Sequence, residues 1–119
     1  MKLESYRDLI VWQRGVELTT EIYKLTSGFP KSELYGITSQ LRRAAVSIPA
    51  NLAEGYYRNS KKDYQRFCYI SFGSGSELET LIIIAKRLKF IPEQAYEKVD
   101  LLLEEVMKMM NSLIRKLKQ

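Results

Sequence analysis

The sequence predicts an all-α protein, an antiparallel up-and-down four-helix bundle, on three observations. Apolar residues recur at alternating spacings of three and four along four separate segments, the period that keeps one face of a helix turned towards a core. Only a few residues separate successive segments, which sets neighbouring helices antiparallel and side by side. No stretch shows the two-residue alternation of a strand, and no long linker, low-complexity tract or fixed-period repeat interrupts the pattern. At 119 residues the chain suits a single domain, 1–119, with one core.

The first segment carries Val11, Gly15, Leu18, Ile22, Leu25 and Phe29 on its apolar face. Ser5 and Asp8 have the spacing of a capping box and are expected to open it, with Gly28 and Pro30 closing it. The second carries Leu34, Ile37, Leu41, Ala44 or Ala45, Ile48 and Leu52, with Ser32 expected as N-cap and Gly55 as the stop. Pro49 conflicts with this segment. It removes one backbone donor and crowds the carbonyl of Ala45, so the helix either kinks or breaks there, and a kinked, continuous helix is the expected outcome.

The third segment is the most regular, with Tyr64, Phe67, Ser71, Ser74, Leu78, Leu81, Ala85 and Leu88 in phase and Ser60 as its expected cap. Gly73 and Gly75 lie in its middle, where each costs about 1 kcal/mol relative to alanine. Close approach of a neighbouring helix, helped by Ser71, Ser74 and Ser76, or a local bulge would account for them. The fourth segment places Pro92 in its first turn and carries Tyr96, Val99, Leu103, Val106, Met110, Leu113 and Leu117.

Opposite the core face of the third segment stand Tyr69, Ser76, Ile83 and Phe90, and Leu81 to Ala85 is apolar on every side. Such a helix is expected to be buried on two sides. Trp12, Val16 and Tyr23 form a comparable second stripe on the first segment. A homo-oligomer covering both is favoured over a bundle that buries one helix more deeply than the others and over Ile83 and Phe90 being scattered exposed residues. Arg43 and Glu54 share one side of the second segment, three turns apart, and are candidates for a contact between subunits.

Composition excludes several function classes. There is no histidine and a single cysteine, Cys68. The usual zinc sets, an intramolecular disulfide and the commonest catalytic base are therefore all missing, and no metal or cofactor is expected. Glu77 with Glu79 and Glu104 with Glu105 lie too close in sequence to share a helix face. An enzyme built on carboxylates alone would have to bring Glu54, Glu77 or Glu79 together across helices, so catalysis is not expected. Cys68, among Phe67, Tyr69 and Phe72, is read as a small buried hydrophobe. No run is long and apolar enough to cross a bilayer, and Glu4, Arg7 and Asp8 stand where a signal peptide would need apolar residues, which points to the cytoplasm.

The 19 Lys and Arg against 14 Asp and Glu leave a net charge of +5, which favours a polyanionic partner. Two local clusters hold the excess: Arg58, Lys61, Lys62 and Arg66 against Asp63 alone, and the tail after Glu105 with Lys108, Arg115, Lys116 and Lys118 and no acid. Tyr56 and Tyr57 precede the first cluster, and aromatics interleaved with cations can stack on bases while phosphates are neutralised. A charged, tyrosine-bearing loop of no special function is the alternative. Arg42 and Arg43 flank the second core stripe, within reach of a phosphate or of Glu54.

The run SQLRRAAVSIPANLAEG, Ser39 to Gly55, resembles the signature of the bacterial 23S rRNA intervening-sequence proteins. YRDLIVWQ, Tyr6 to Gln13, and GSGSELET, Gly73 to Thr80, extend the likeness over most of the chain, the latter departing at Gly75-Ser76. The resemblance implies an up-and-down four-helix bundle assembled as a ring of five subunits. It also implies a context of RNA or DNA, through the intervening sequences that gave the family its name and through a more distant relative, the accessory subunit of diversity-generating retroelement reverse transcriptases. A scaffold that holds a partner protein, without nucleic-acid affinity of its own, is the second expectation.

Overall fold

In the computed structural model, which describes residues 5–119, helix α1 spans Ile10–Thr26, α2 Ser39–Tyr56, α3 Lys61–Leu88 and α4 Glu97–Lys118. Each helix packs on its two sequence neighbours and α4 closes back on α1, which makes a square up-and-down bundle of 43 × 23 × 21 Å. No strand occurs among the described residues. Leu18, Ile22, Leu41, Ile48, Leu52, Leu78, Val106 and Met110 are wholly buried along the central axis, the outcome the three-and-four spacing demands.

Four boundaries differ from expectation, each for a local reason. Ser5 does cap, its Oγ accepting from the Arg7 N–H at 3.1 Å, but it caps a separate 3-10 turn, Tyr6–Asp8. Leu9 is extended after that turn and α1 begins only at Ile10. Ser32 caps nothing: it lies in a 3-10 turn, Lys31–Glu33, followed by a wide turn, Leu34–Thr38, in which Gly36 leaves helical geometry. Gly55 does not stop α2, which runs to Tyr56; a Cβ at position 55 would lie 2.6 Å from that of Phe67, so the glycine admits α3. Pro92 precedes a 3-10 turn, Glu93–Tyr96, instead of lying inside α4. Ser60 caps α3 as expected, accepting from the Asp63 N–H at 3.0 Å.

Pro49 stands within an unbroken α2. The carbonyl of Ala45, which a residue without an N–H cannot engage, lies 3.1 Å from the hydroxyl of Thr19 on α1. Gly15, one turn earlier on α1, lies against the proline ring, and a Cβ there would meet Pro49 at 3.5 Å, an ordinary packing contact. On the other flank, Ser71 of α3 donates to the Ile48 carbonyl at 2.8 Å, and Ser47 and Ser74 share a hydrogen bond of 2.7 Å. The irregular turn of α2 is thus satisfied from both neighbouring helices.

The two mid-helix glycines of α3 have different surroundings. A Cβ on Gly75 would lie 2.3 Å from the Met107 sulfur, so this glycine lets α4 approach, as the sequence suggested. A Cβ on Gly73 would meet nothing within 4 Å. Ion pairs fasten α4 at the rim: Arg14 to Glu105 at 2.7 Å, Lys98 to Glu21 at 3.4 Å and Lys86 to Asp100 at 2.7 Å.

Candidate nucleic-acid interface

Alternating chain direction brings the start of α1, the end of α2, the start of α3 and the end of α4 to one end of the bundle. The two basic clusters, almost fifty residues apart in sequence, therefore become one surface. Lys61 donates to the main-chain carbonyl of Gln119, and the Lys118 ammonium lies 5.7 Å from the centre of the Tyr69 ring, which joins α3 to the tail of α4. Residues 5–13, 50–68 and 109–119 carry eight Lys and Arg against three acids, while the other described residues carry ten against ten. The entire net charge of +5 belongs to this end.

Several of these cations are engaged. The Arg58 guanidinium bonds Glu54 at 2.6 Å and lies 4.6 Å from the centre of the Phe67 ring. Arg66 is 3.8 Å from Asp63 and 4.7 Å from the same ring centre. Arg7 stands over Tyr6 at 5.9 Å. Lys62, Arg115 and Lys116 are exposed and have no ion pair among the described residues. Lys61 and Lys62 occupy the first turn of α3, where the helix dipole favours acids and a cation costs roughly 0.3–1 kcal/mol. Helix stability therefore does not explain their place.

Behind the cations runs a chain of edge-to-face rings: Trp12 to Tyr6 at 5.2 Å, Tyr6 to Tyr57 at 5.7 Å, Tyr57 to Tyr56 at 5.3 Å and Tyr56 to Tyr64 at 6.0 Å. Tyr57 is 62% exposed, whereas Tyr56 and Tyr64 are half-buried. Of the two tyrosines that the sequence points to, Tyr57 is the more open to a base. Tyr6 and Phe67 carry no such signal in the sequence: pairing Tyr6 with Tyr57 needs two helix ends brought together, and Phe67 reads simply as a core position.

The residues expected at a subunit interface are divided by the fold. Tyr69 and Ile83 face outward on α3, 46% and 49% exposed, beside Ile70, Ile84 and Leu88. Helical phase assigns Leu88 to the core; its place on the last turn leaves it half-exposed, while Ile82 and Ile91 pack inward. Phe90 does not face outward. The chain reverses at Lys89, whose φ of 57° is left-handed, so helical phase ends there and the Phe90 ring packs 5.3 Å from Phe29. Trp12 is half-buried against the core. Arg43 is exposed, Glu54 pairs with Arg58 just beyond the end of α2, and Arg42 turns inward to Thr26 Oγ1 at 2.9 Å and to the Tyr23 ring at 4.6 Å.

Glu54 lies beside the Phe67 turn of α3, and Glu77 is about 15 Å farther along that helix by its rise per residue. Among the described residues no group of three or more His, Cys, Asp or Glu is placed to hold a metal ion, and no helix is long and apolar enough to cross a membrane.

The family model described as 23S rRNA-intervening sequence protein matches residues 7–112. The chain belongs to that family. Among solved structures it is similar to a protein of unknown function from the S23 ribosomal protein family of Bacteroides thetaiotaomicron, with a TM-score of 0.82 and 22% identity over 89% of this chain and 96% of that one. That likeness shows the fold. No curated protein matches the sequence. The intervening-sequence match takes in Arg58, Lys61, Lys62 and Arg66 but ends before Arg115, so the tail cations lie outside it.

Proposed function

We propose that this intervening-sequence protein is a non-enzymatic, homo-oligomeric, cytoplasmic protein that binds nucleic acid through the basic end of its bundle. The observation that supports this reading is the gathering of the whole net charge at one end, with Lys61 and Lys62 placed against the dipole of α3. Such a surface neutralises phosphates and reads little sequence. The family name, which ties its members to an intervening sequence of 23S rRNA, favours RNA.

Self-association is supported by the outer face of α3. Tyr69, Ile70, Ile83 and Ile84 are large, apolar and exposed there, around Gly73, whose cost in helix stability no contact among the described residues offsets. The pentamer implied by the resemblance is the expected assembly. The same face supports the second reading, a scaffold that holds a partner protein.

The test is a titration of the purified protein against labelled single-stranded and duplex RNA and DNA at low and physiological salt, with its mass in solution measured alongside. Binding whose logarithm falls linearly with the logarithm of salt concentration supports the basic end as the interface. A well-defined oligomer that binds nothing at low salt rejects nucleic acid and leaves the scaffold reading.

A further inference from the structure

Arg58 and Arg66 come from different turns of chain, yet both guanidiniums lie against one ring, at 4.6 and 4.7 Å from the centre of Phe67. Their charges are therefore at most about 9 Å apart, comparable with the screening length at physiological salt, so they repel each other. Burial and packing fix the ring that holds them: Phe67 is 7% exposed, and Gly55 of α2 is thinned to admit it. Lys62, with no ion pair among the described residues, stands four positions from each arginine. Two carboxylates face the group, Glu54 and Asp63. Glu54 takes one terminal nitrogen of Arg58, and Asp63 lies 3.8 Å from Nε of Arg66, too far for a hydrogen bond. Among the described residues most of the ten guanidinium N–H groups have no hydrogen-bond partner.

We infer that Arg58 and Arg66, both set against the Phe67 ring, form with Lys62, four positions from each in sequence, a preformed clamp for the phosphodiester backbone. This rests on the nucleic-acid reading and narrows it to a backbone contact made by guanidinium forks. A guanidinium held over an aromatic ring can still offer N–H groups to a ligand, and it has lost side-chain freedom before the ligand arrives. Its donor pairs match two phosphate oxygens at once, which a lysine ammonium cannot do. An anion bound to both arginines also relieves their repulsion. Phe67 is a positioning residue in this scheme and touches no phosphate.

The experiment keeps charge constant and removes geometry. The double variant Arg58→Lys, Arg66→Lys retains every positive charge but loses both guanidinium forks. Single-stranded RNA of mixed sequence is titrated at one fixed low salt concentration and across a salt series. The expected result is affinity lower by about tenfold with an unchanged salt slope, together with a smaller loss in Phe67→Leu, in which both arginines remain. Thermal unfolding of each variant confirms that the bundle is intact. The double variant is the decisive one because both of its altered side chains are exposed. If the wild type binds RNA and the double variant binds equally well, the clamp is overturned while the basic-end reading stands. If the wild type binds no RNA at low salt, both fall together. Inorganic pyrophosphate, added as competitor at the concentration of RNA phosphate, is expected not to displace the RNA; displacement at that level would make a free phosphate compound the ligand and overturn the backbone assignment.

Discussion

The Thr19 hydroxyl of α1 lies 3.1 Å from the Ala45 carbonyl of α2, the acceptor that Pro49 leaves without its helical donor. The same hydroxyl is 2.8 Å from the Gly15 carbonyl of its own helix, so one proton is shared between two acceptors. Replacing Thr19 by Val is expected to cost about 1–2 kcal/mol in urea unfolding, the cost of an unmet buried acceptor. In a Pro49→Ala background the restored N–H satisfies Ala45, and the Thr19→Val cost should shrink by about 1 kcal/mol, a coupling that a double-mutant cycle reads directly.

The two glycines of α3 should respond differently to added bulk. Gly73→Ala meets open space and is expected to raise the stability of the isolated protomer by about 1 kcal/mol, the difference in helix propensity. Gly75→Ala forces the Met107 side chain aside, and Gly75→Leu should destabilise by about 1–3 kcal/mol or more through overpacking. Under the proposed self-association, Gly73→Leu is expected to lower the mass measured in solution while leaving helical content intact. An unchanged mass would take α3 out of the subunit contact.

Cys68 and Tyr64 predict an alkaline limit to stability. Burial pushes the Cys68 thiol up from 9.0 to about 12 and the Tyr64 phenol from 10.0 to about 12. Both groups are neutral when protonated, so the folded state holds their protons more tightly than the unfolded chain. Their contribution is fully present below pH 9 and is lost as pH rises towards 12. Urea midpoints measured from about pH 8 to about 11.5 should fall over that window, and Cys68→Ala should flatten part of the decline. The native thiol is also expected to resist alkylation at about pH 8 until the protein unfolds, because the thiolate is the reactive form.

Reversing the tail charges tests the merged basic surface. Arg115→Glu with Lys116→Glu should weaken binding of every RNA sequence to a similar degree and lower the salt slope by about 2 or less. A loss confined to particular sequences would instead indicate base reading.

The repeating core was legible in the sequence because burial follows helical phase wherever a helix is uninterrupted. Leu18, Leu41, Leu78 and Val106 all stand where that phase puts them. The departures cluster where phase is lost. Ser5 caps a 3-10 turn and Ser32 lies inside one, because capping chemistry does not state how long the following helix will be. Phe90 turns inward because a lysine at position 89 adopts a conformation that sequence assigns first to glycine. The cations of the basic end were each visible, but their union was not, since it depends on which helix ends meet. The partner of Arg58 and Arg66, Phe67, was hidden by its ordinary place on the core stripe.

Antiparallel packing has one further consequence at the basic end. Each end of the bundle presents two helix starts and two helix finishes, so the peptide dipoles oppose one another in pairs and contribute little along the 43 Å axis. Side chains alone then polarise the molecule, with five net charges at one end and none over the remainder of the described chain. A particle of that kind feels a torque in the field of any negatively charged polymer and turns its charged end forward before contact. At low ionic strength, fewer collisions are spent in the wrong orientation.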